Sequence, residues 1–240
     1  AMRALVLGGS QFVGLHTVRE LLLRGHDVTV LNRGKTETRL PAGVERLVAD
    51  RTDMGSMRKA LAGSEWDAVF DVSGFLMVAI GARMEDLIDL LDGRVGAYVF
   101  TSSIMAYAPS GTFPWRENFP TVDEEPNTYG GFKKACEVAL LERHARTGFP
   151  ASVVRPAAIY GPDNNIFDME MAYFLRLLRG LPVIIPHDGL ATASYGHVDD
   201  LCRALVDMST HPGVAGEIFN ITAEAVTANE YVSVLSEIVG

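Results

Sequence analysis

A doubly wound, parallel α/β sheet is the fold class the sequence predicts, and three observations predict it. Short apolar runs of strand length alternate with longer helical stretches, the pattern of βαβ units. The strand runs are apolar on both faces, as strands covered on both sides by helices must be. The connections 108–128 and 160–165 follow strand ends and are rich in Pro, Gly, Asn and Asp, at the end of the sheet where such folds bind ligands.

The elements follow in chain order. Arg3–Leu7 (RALVL) reads as a buried strand. Phe12–Leu23 reads as a helix, with Leu15, Val18 and Leu22 near helical spacing and Gly25 ending it. Residues 27–31 (DVTVL) form the second strand, and a short one lies at 47–48. A helix is expected over 53–61, a strand over 67–72, a helix over 79–91 and a strand over 97–100. The long helix 129–146 follows, then a strand at 151–154, a helix at 167–178 and a strand at 182–185. A helix over 198–208, a strand at Ile218–Ile221 and a last helix at Ala228–Val239 complete the reading.

The chain has 240 residues, 48% of them hydrophobic and 21% charged, an ordinary globular balance and enough length for a sizeable core. No segment is apolar for long enough to span a bilayer, and no secretory signal is seen at the start. Cys136 and Cys202 cannot make a disulfide framework; they read as reduced core residues, which fits a cytoplasmic setting. The net charge of −9 argues against a non-specific nucleic-acid binder. His16, His26, His144, His187 and His211 are scattered without metal spacing, so no metal site is expected.

Two segments carry chemistry. The first strand runs into Gly8-Gly9-Ser10-Gln11-Phe12-Val13-Gly14 and then a helix. Glycines at such a turn let backbone N–H groups approach a pyrophosphate at the helix start, although a plain tight turn would read the same way. After the second strand an NAD site usually offers a carboxylate for the ribose hydroxyls. Here stand Asn32 and Arg33, which points to NADP in preference to NAD; an exposed loop arginine is the other reading. The second segment is Tyr129-Gly130-Gly131-Phe132-Lys133, a Y-x-x-x-K that places Tyr129 and Lys133 on one helix face. A free tyrosine is only about 0.1% phenolate at pH 7. An adjacent ammonium, with the positive nicotinamide of an oxidised cofactor, favours the ionised form, so Lys133 is expected to lower the Tyr129 pKa.

These segments, with three more, resemble the extended short-chain dehydrogenase/reductase family of NAD(P)-dependent epimerases and dehydratases over nearly the whole chain. Gly8 and Gly14 match the family's G-x-x-G-x-x-G, with Gln11 at the middle glycine. Residues 102–107 resemble its S-S-x-x-x-Y, 155–162 its R-P-x-x-x-Y-G-P, and 197–200 its H-V-D-D. The resemblance implies a Rossmann-like, NAD(P)-binding core over 1–155. Residues 156–240 would then complete the sheet and begin a small substrate lobe, since family members usually continue for many tens of residues further. It implies an oxidoreductase or epimerase acting on a hydroxyl or carbonyl of a small, sugar-like or nucleotide-sugar substrate with Ser103, Tyr129 and Lys133 as the catalytic residues. Asp50-Arg51 would meet the adenine and Val72-Ser73-Gly74 the adenosine ribose. Ser102, Pro156 and Ile159 would lie near the nicotinamide.

Departures from the family also inform. The 4,6-dehydratases carry an Asp-Glu pair where this chain has Ile104 and Met105, so that elimination is not expected. Sugar-nucleotide enzymes often place an amide and an arginine at Ala158 and Ala193. Phe113 and Trp115 either cover the substrate or anchor their loop. Family members commonly dimerise through helices here at 79–91 and 129–146, and Ala135, Val138, Ala139 and Leu141 fit a homodimer contact. The alternative function is RNA binding, as in the family's chloroplast stem-loop-binding branch; the intact Ser103, Tyr129 and Lys133 and the acidic charge favour the enzyme.

Overall fold

The structure, a computed structural model, describes residues 1–35, 40–123, 127–166 and 169–240. In chain order its elements are β1 Arg3–Leu7, α1 Phe12–Leu23, β2 Asp27–Asn32, β3 Glu45–Val48, α2 Met54–Leu61, β4 Trp66–Asp71, α3 Phe75–Ala79, α4 Met84–Leu91, β5 Val95–Thr101, α5 Tyr129–Thr147, β6 Ala151–Pro156, β7 Ala158–Tyr160, α6 Glu170–Leu178, β8 Thr192–His197, α7 Val198–Thr210, β9 Ile218–Ile221, β10 Ala225–Thr227 and α8 Ala228–Val239.

The main sheet has seven strands in the order β3-β2-β1-β4-β5-β6-β9, and every neighbouring pair is parallel. Alternation along a strand divides the core between two layers. Leu5 and Leu7 pack with Met57, Leu87, Ile88, Cys136 and Leu140 of α2, α4 and α5. Ala4 and Val6 pack with Val18 and Leu21 of α1 and with Leu201 and Leu205 of α7. Fully burying one such branched side chain contributes about 1.5–3 kcal/mol, so β1 is fixed from both faces. Strand order reverses at β1, which has β2 on one side and β4 on the other; the carboxyl ends there form the crevice where doubly wound sheets hold ligands.

The residues beyond 155 serve two layers. β9 and α7 complete the main sheet and its α1 face, while β7, β8 and β10 form a separate three-stranded sheet beside α6 and α8. Strands β7, β8 and β10 escape a reading by apolar runs because they are short and, in β8 (TASYGH), polar.

Two other expectations are corrected. The helix expected over 79–91 is two helices, α3 and α4, because Gly81 takes φ +81°, the left-handed conformation that ends a helix. The strand expected over 182–185 is irregular: Pro182 and Pro186 supply no backbone N–H, and Ile184 is 81% exposed. The helix expected over 167–178 begins at Glu170; residues 167–168 lie outside the described residues.

Candidate active site

The turn after β1 is built for close approach. A β-carbon on Gly14 would lie 2.2 Å from the Gly8 carbonyl oxygen, so only glycine lets α1 start against the turn. Phe12 takes φ +37°, and its ring is buried in the core. Gln11 caps α1 without donating or accepting through its side chain there, and no acidic residue occupies the first turn. That leaves the helix start favourable to an anion. Val13 is half-buried on α1's first turn. Val72 and Ser73 press against this turn: a β-carbon on Gly8 would lie 2.6 Å from Ser73 Oγ and 3.1 Å from Val72 Cγ2. Gly74 is held as closely, with Asp71 Oδ2 2.6 Å from where its β-carbon would be.

At the end of β2, Asn32 Oδ1 accepts hydrogen bonds from the Gly34 amide (3.0 Å) and from Arg46 Nε (3.0 Å). Asn32 Nδ2 is buried with no partner among the described residues. A buried donor left unmade is costly, and it suits the oxygen of a bound ribose or phosphate. Arg33 is exposed. The Asp50 carboxyl is held below the usual range, first by the Thr52 hydroxyl and amide and then by Arg33 and Lys35. Arg46, which the sequence reading missed, joins this basic cluster because β3 pairs Val30 with Arg46 and Asn32 with Val48.

The Arg51 guanidinium is buried, with NH1 and NH2 each 2.9 Å from an Asp71 carboxylate oxygen and NH1 2.6 Å from Ser73 Oγ. Burial alone would raise the Asp71 pKa; the Arg51 charge outweighs it and holds the carboxyl below the usual range. Tyr98 donates to the same carboxylate at 2.6 Å. Arg51 therefore sets the position of Ser73 from beneath.

Ser102 and Ile159 also turn inward. The Ser102 amide pairs with Val154 O, and its hydroxyl donates to Glu137, which Arg155 grips through Nε (2.9 Å) and NH2 (2.6 Å). Ile159 packs in the core with Phe12 and Val198. Pro156 is buried at the end of β6, in register with Ile221.

The three catalytic candidates do meet. α5 starts at Tyr129, capped by Thr128, whose hydroxyl accepts from the Gly131 amide at 3.0 Å. Ser103 Oγ accepts from the Met105 amide at 3.1 Å and opens a short 3-10 turn, Ile104–Ala106. Tyr129 is 45% exposed, with its ring edge-on to Phe75 at 5.1 Å. Burial of the phenol raises its pKa, and the Ser103 hydroxyl draws it partly back. The expected lowering by Lys133 is not found. Lys133 is 2% exposed, donates to Thr101 O at 2.6 Å, and lies 4.7 Å over Phe75 and 5.5 Å from the Tyr129 ring centre. Burial pulls its own pKa down to about 8, against the opposing charge of Asp71.

Trp115 is tied to the body of the protein, while Phe113 is 72% exposed. Trp115 stacks on Phe113 and packs on Tyr107, and its carbonyl accepts from Asn220 Nδ2 at 3.0 Å. Among the described residues no group of three His, Cys, Asp or Glu could hold a metal ion.

The profile described as "NAD dependent epimerase/dehydratase family" matches residues 4–222. The chain is 29% identical over 235 residues to the chloroplast stem-loop binding protein of 41 kDa b from Arabidopsis thaliana, covering 92% of this chain and 59% of that protein. It is 28% identical over 226 residues to 2'-dehydrokanamycin reductase from Streptomyces kanamyceticus, covering 92% of this chain and 62% of that one. The chain thus spans about three-fifths of the length of both relatives. Among solved structures, UDP-glucose 4-epimerase from Thermotoga maritima with UDP-glucose superposes with a TM-score of 0.84 at 26% identity, over 99% of this chain and 82% of that one.

Proposed function

The chain belongs to the NAD dependent epimerase/dehydratase family, and on that premise we propose that it is a nicotinamide-dependent oxidoreductase or epimerase acting on a hydroxyl or carbonyl of a small, sugar-like substrate. The observation that carries this reading is the meeting of Ser103, Tyr129 and Lys133 at the carboxyl end of β5. A bound nicotinamide supplies the hydride donor or acceptor. In its neutral form, which burial favours, Tyr129 gives its proton to a substrate carbonyl oxygen and is left as the phenolate; in the reverse direction that phenolate takes the proton from a substrate hydroxyl. Ser103 holds the same oxygen. Lys133 would hold the ribose hydroxyls of the nicotinamide nucleoside.

The cofactor reading rests on the turn and the β2 end together. Gly8, Gly9 and Gly14 leave no room for side chains, and the orphaned Asn32 Nδ2 calls for an oxygen. Arg33, Lys35 and Arg46 fit a 2′-phosphate, so NADP is preferred over NAD. The reducing cytoplasm suits two free, buried cysteines, and no described helix is long and apolar enough to cross a membrane.

The experiment is Tyr129→Phe with NADPH and a panel of carbonyl sugars. Turnover should fall by about 10²–10⁴, with the NADPH dissociation constant changed less than about twofold. Normal turnover by the variant would overturn the assignment.

The 29% identity to a stem-loop binding protein supports a second reading, RNA binding. A net charge of −9 weighs against it. Retention of a stem-loop RNA at 150 mM salt, with no turnover of any carbonyl substrate, would favour it.

A further inference from the structure

Residues 161–166, which follow β7, are tied to α1 in two places. Gln11, at the middle position of the glycine turn, accepts at Oε1 from Asn165 Nδ2 (3.1 Å). Further along α1, buried His16 has Nε2 3.0 Å from Pro162 O and 3.2 Å from the Asp163 carboxylate. Its Nδ1 is 2.7 Å from Asp199 of α7, so α1, α7 and the loop share one ring. Arg19 adds a 2.6 Å contact to Asp163. Asp163 itself takes φ +64°, a left-handed conformation that aspartate tolerates better than most residues.

The same loop is braced from the opposite side. Glu170, the first residue of α6, accepts from the Gly161 amide (3.1 Å) and from Asn164 Nδ2 (3.0 Å to each oxygen). The loop is therefore a strut with one end on Gln11 and the other on α6. With Oε1 taken by Asn165, the Gln11 amide still has its Nε2 hydrogens to offer an anion in the turn. A glycine at position 11 would leave the turn intact and remove this tie.

We propose that Gln11 is a positioning residue: through Asn165 it couples occupation of the glycine turn to the ordering of residues 161–166 and the start of α6. The proposal rests on the reading of that turn as a cofactor site. Coupling between two sites is reciprocal. If a cofactor pyrophosphate steadies the loop, the loop must tighten the cofactor by the same factor.

The test uses the full chain with NADPH as the probe, in wild type, Gln11→Ala, Asn165→Ala and the double variant. Hydrogen–deuterium exchange is followed in peptides spanning 161–166 and 8–14, and NADPH affinity is measured by fluorescence titration. In wild type, NADPH should slow exchange in both segments. In each single variant the slowing should persist in 8–14 and be lost in 161–166, and the dissociation constant should rise roughly threefold to tenfold. The double variant should lose no more than Gln11→Ala alone, because once Gln11 is gone Asn165 has no tie left to break. Equal slowing of 161–166 in wild type and Asn165→Ala, or additive losses, would overturn the coupling while leaving the cofactor site standing. Failure of wild type to bind either NADPH or NAD would remove the cofactor site and the proposal together.

Discussion

Gly130 packs so closely on Met105 that a β-carbon at position 130 would lie 2.0 Å from the Met105 carbonyl oxygen. This contact sets the first turn of α5 against the short turn after Ser103, and with it the separation of Tyr129 from Ser103.

Gly130→Ala tests that contact by the sign of its effect. In a helix, alanine is ordinarily favoured over glycine by about 1 kcal/mol. Here overpacking should cost about 1–3 kcal/mol instead, lowering the melting temperature. Because the helix start must shift, turnover should fall at least about tenfold even where the protein remains folded. A raised melting temperature with unchanged turnover would show that the contact does not fix the site.

Lys133→Met probes the cost of the buried ammonium. Its pKa falls from 10.5 unfolded to about 8 folded. Below pH 8 both states hold the proton and the full penalty of about 3 kcal/mol applies. Between about 8 and 10.5 the folded state has released the proton and the unfolded state retains it, so wild-type stability rises with pH relative to the variant. Urea unfolding at pH 7 and pH 10 should show the difference between the two proteins moving in favour of wild type by about 2–3 kcal/mol. A constant difference would place the Lys133 pKa near its ordinary value.

Arg33→Ala and Arg46→Ala should each reduce NADP affinity by roughly tenfold to a hundredfold, the range of a charge-assisted contact of about 1.5–3 kcal/mol. NAD affinity should hardly change. Titrating both cofactors decides the case: equal losses would mean that the arginines pack on the adenine, and tighter NAD binding by wild type would reverse the preference.

A homodimer through α4 and α5 is expected, and static light scattering at micromolar concentration checks it. The groove between these helices is lined by Arg83, Glu85, Asp89, Glu142, Arg143 and Arg146, charges of both signs that a two-fold contact can pair. Ala135, Val138 and Leu141 are half-buried within the single chain, and Ala139 is buried. The contact should therefore be more polar than the sequence suggests and weaken in high salt. A monomer at low salt would count against it.

What the sequence disclosed, and what it hid, follows from the range of the forces involved. β1, α1 and α8 are read at their observed ends because apolar spacing and local stop signals determine them. The Y-x-x-x-K places Tyr129 and Lys133 together because a helix brings i and i+4 together whatever surrounds it. The pairing of Arg51 was hidden because it depends on Asp71, a residue of β4 whose burial no local pattern announces. The upward push on the Tyr129 pKa was hidden for a related reason: proximity to an ammonium can be read from spacing, but desolvation comes from Phe75 and the rest of the packed site. Arg46 needed the register of β3 against β2, which only the folded sheet provides.

β6 carries a consequence for synthesis. It pairs with β5 on one side and with β9 on the other, and Val153 must wait for Ile218 to arrive. A chain emerging from the ribosome would therefore hold β6 as an open sheet edge while the residues between are still being made, with Arg155 already paired to Glu137 behind it. An unpaired parallel edge is the part of a nascent sheet most exposed to wrong partners. Slow translation between β6 and β9 should lengthen that exposure, and a chaperone that shields open edges should matter most in that interval.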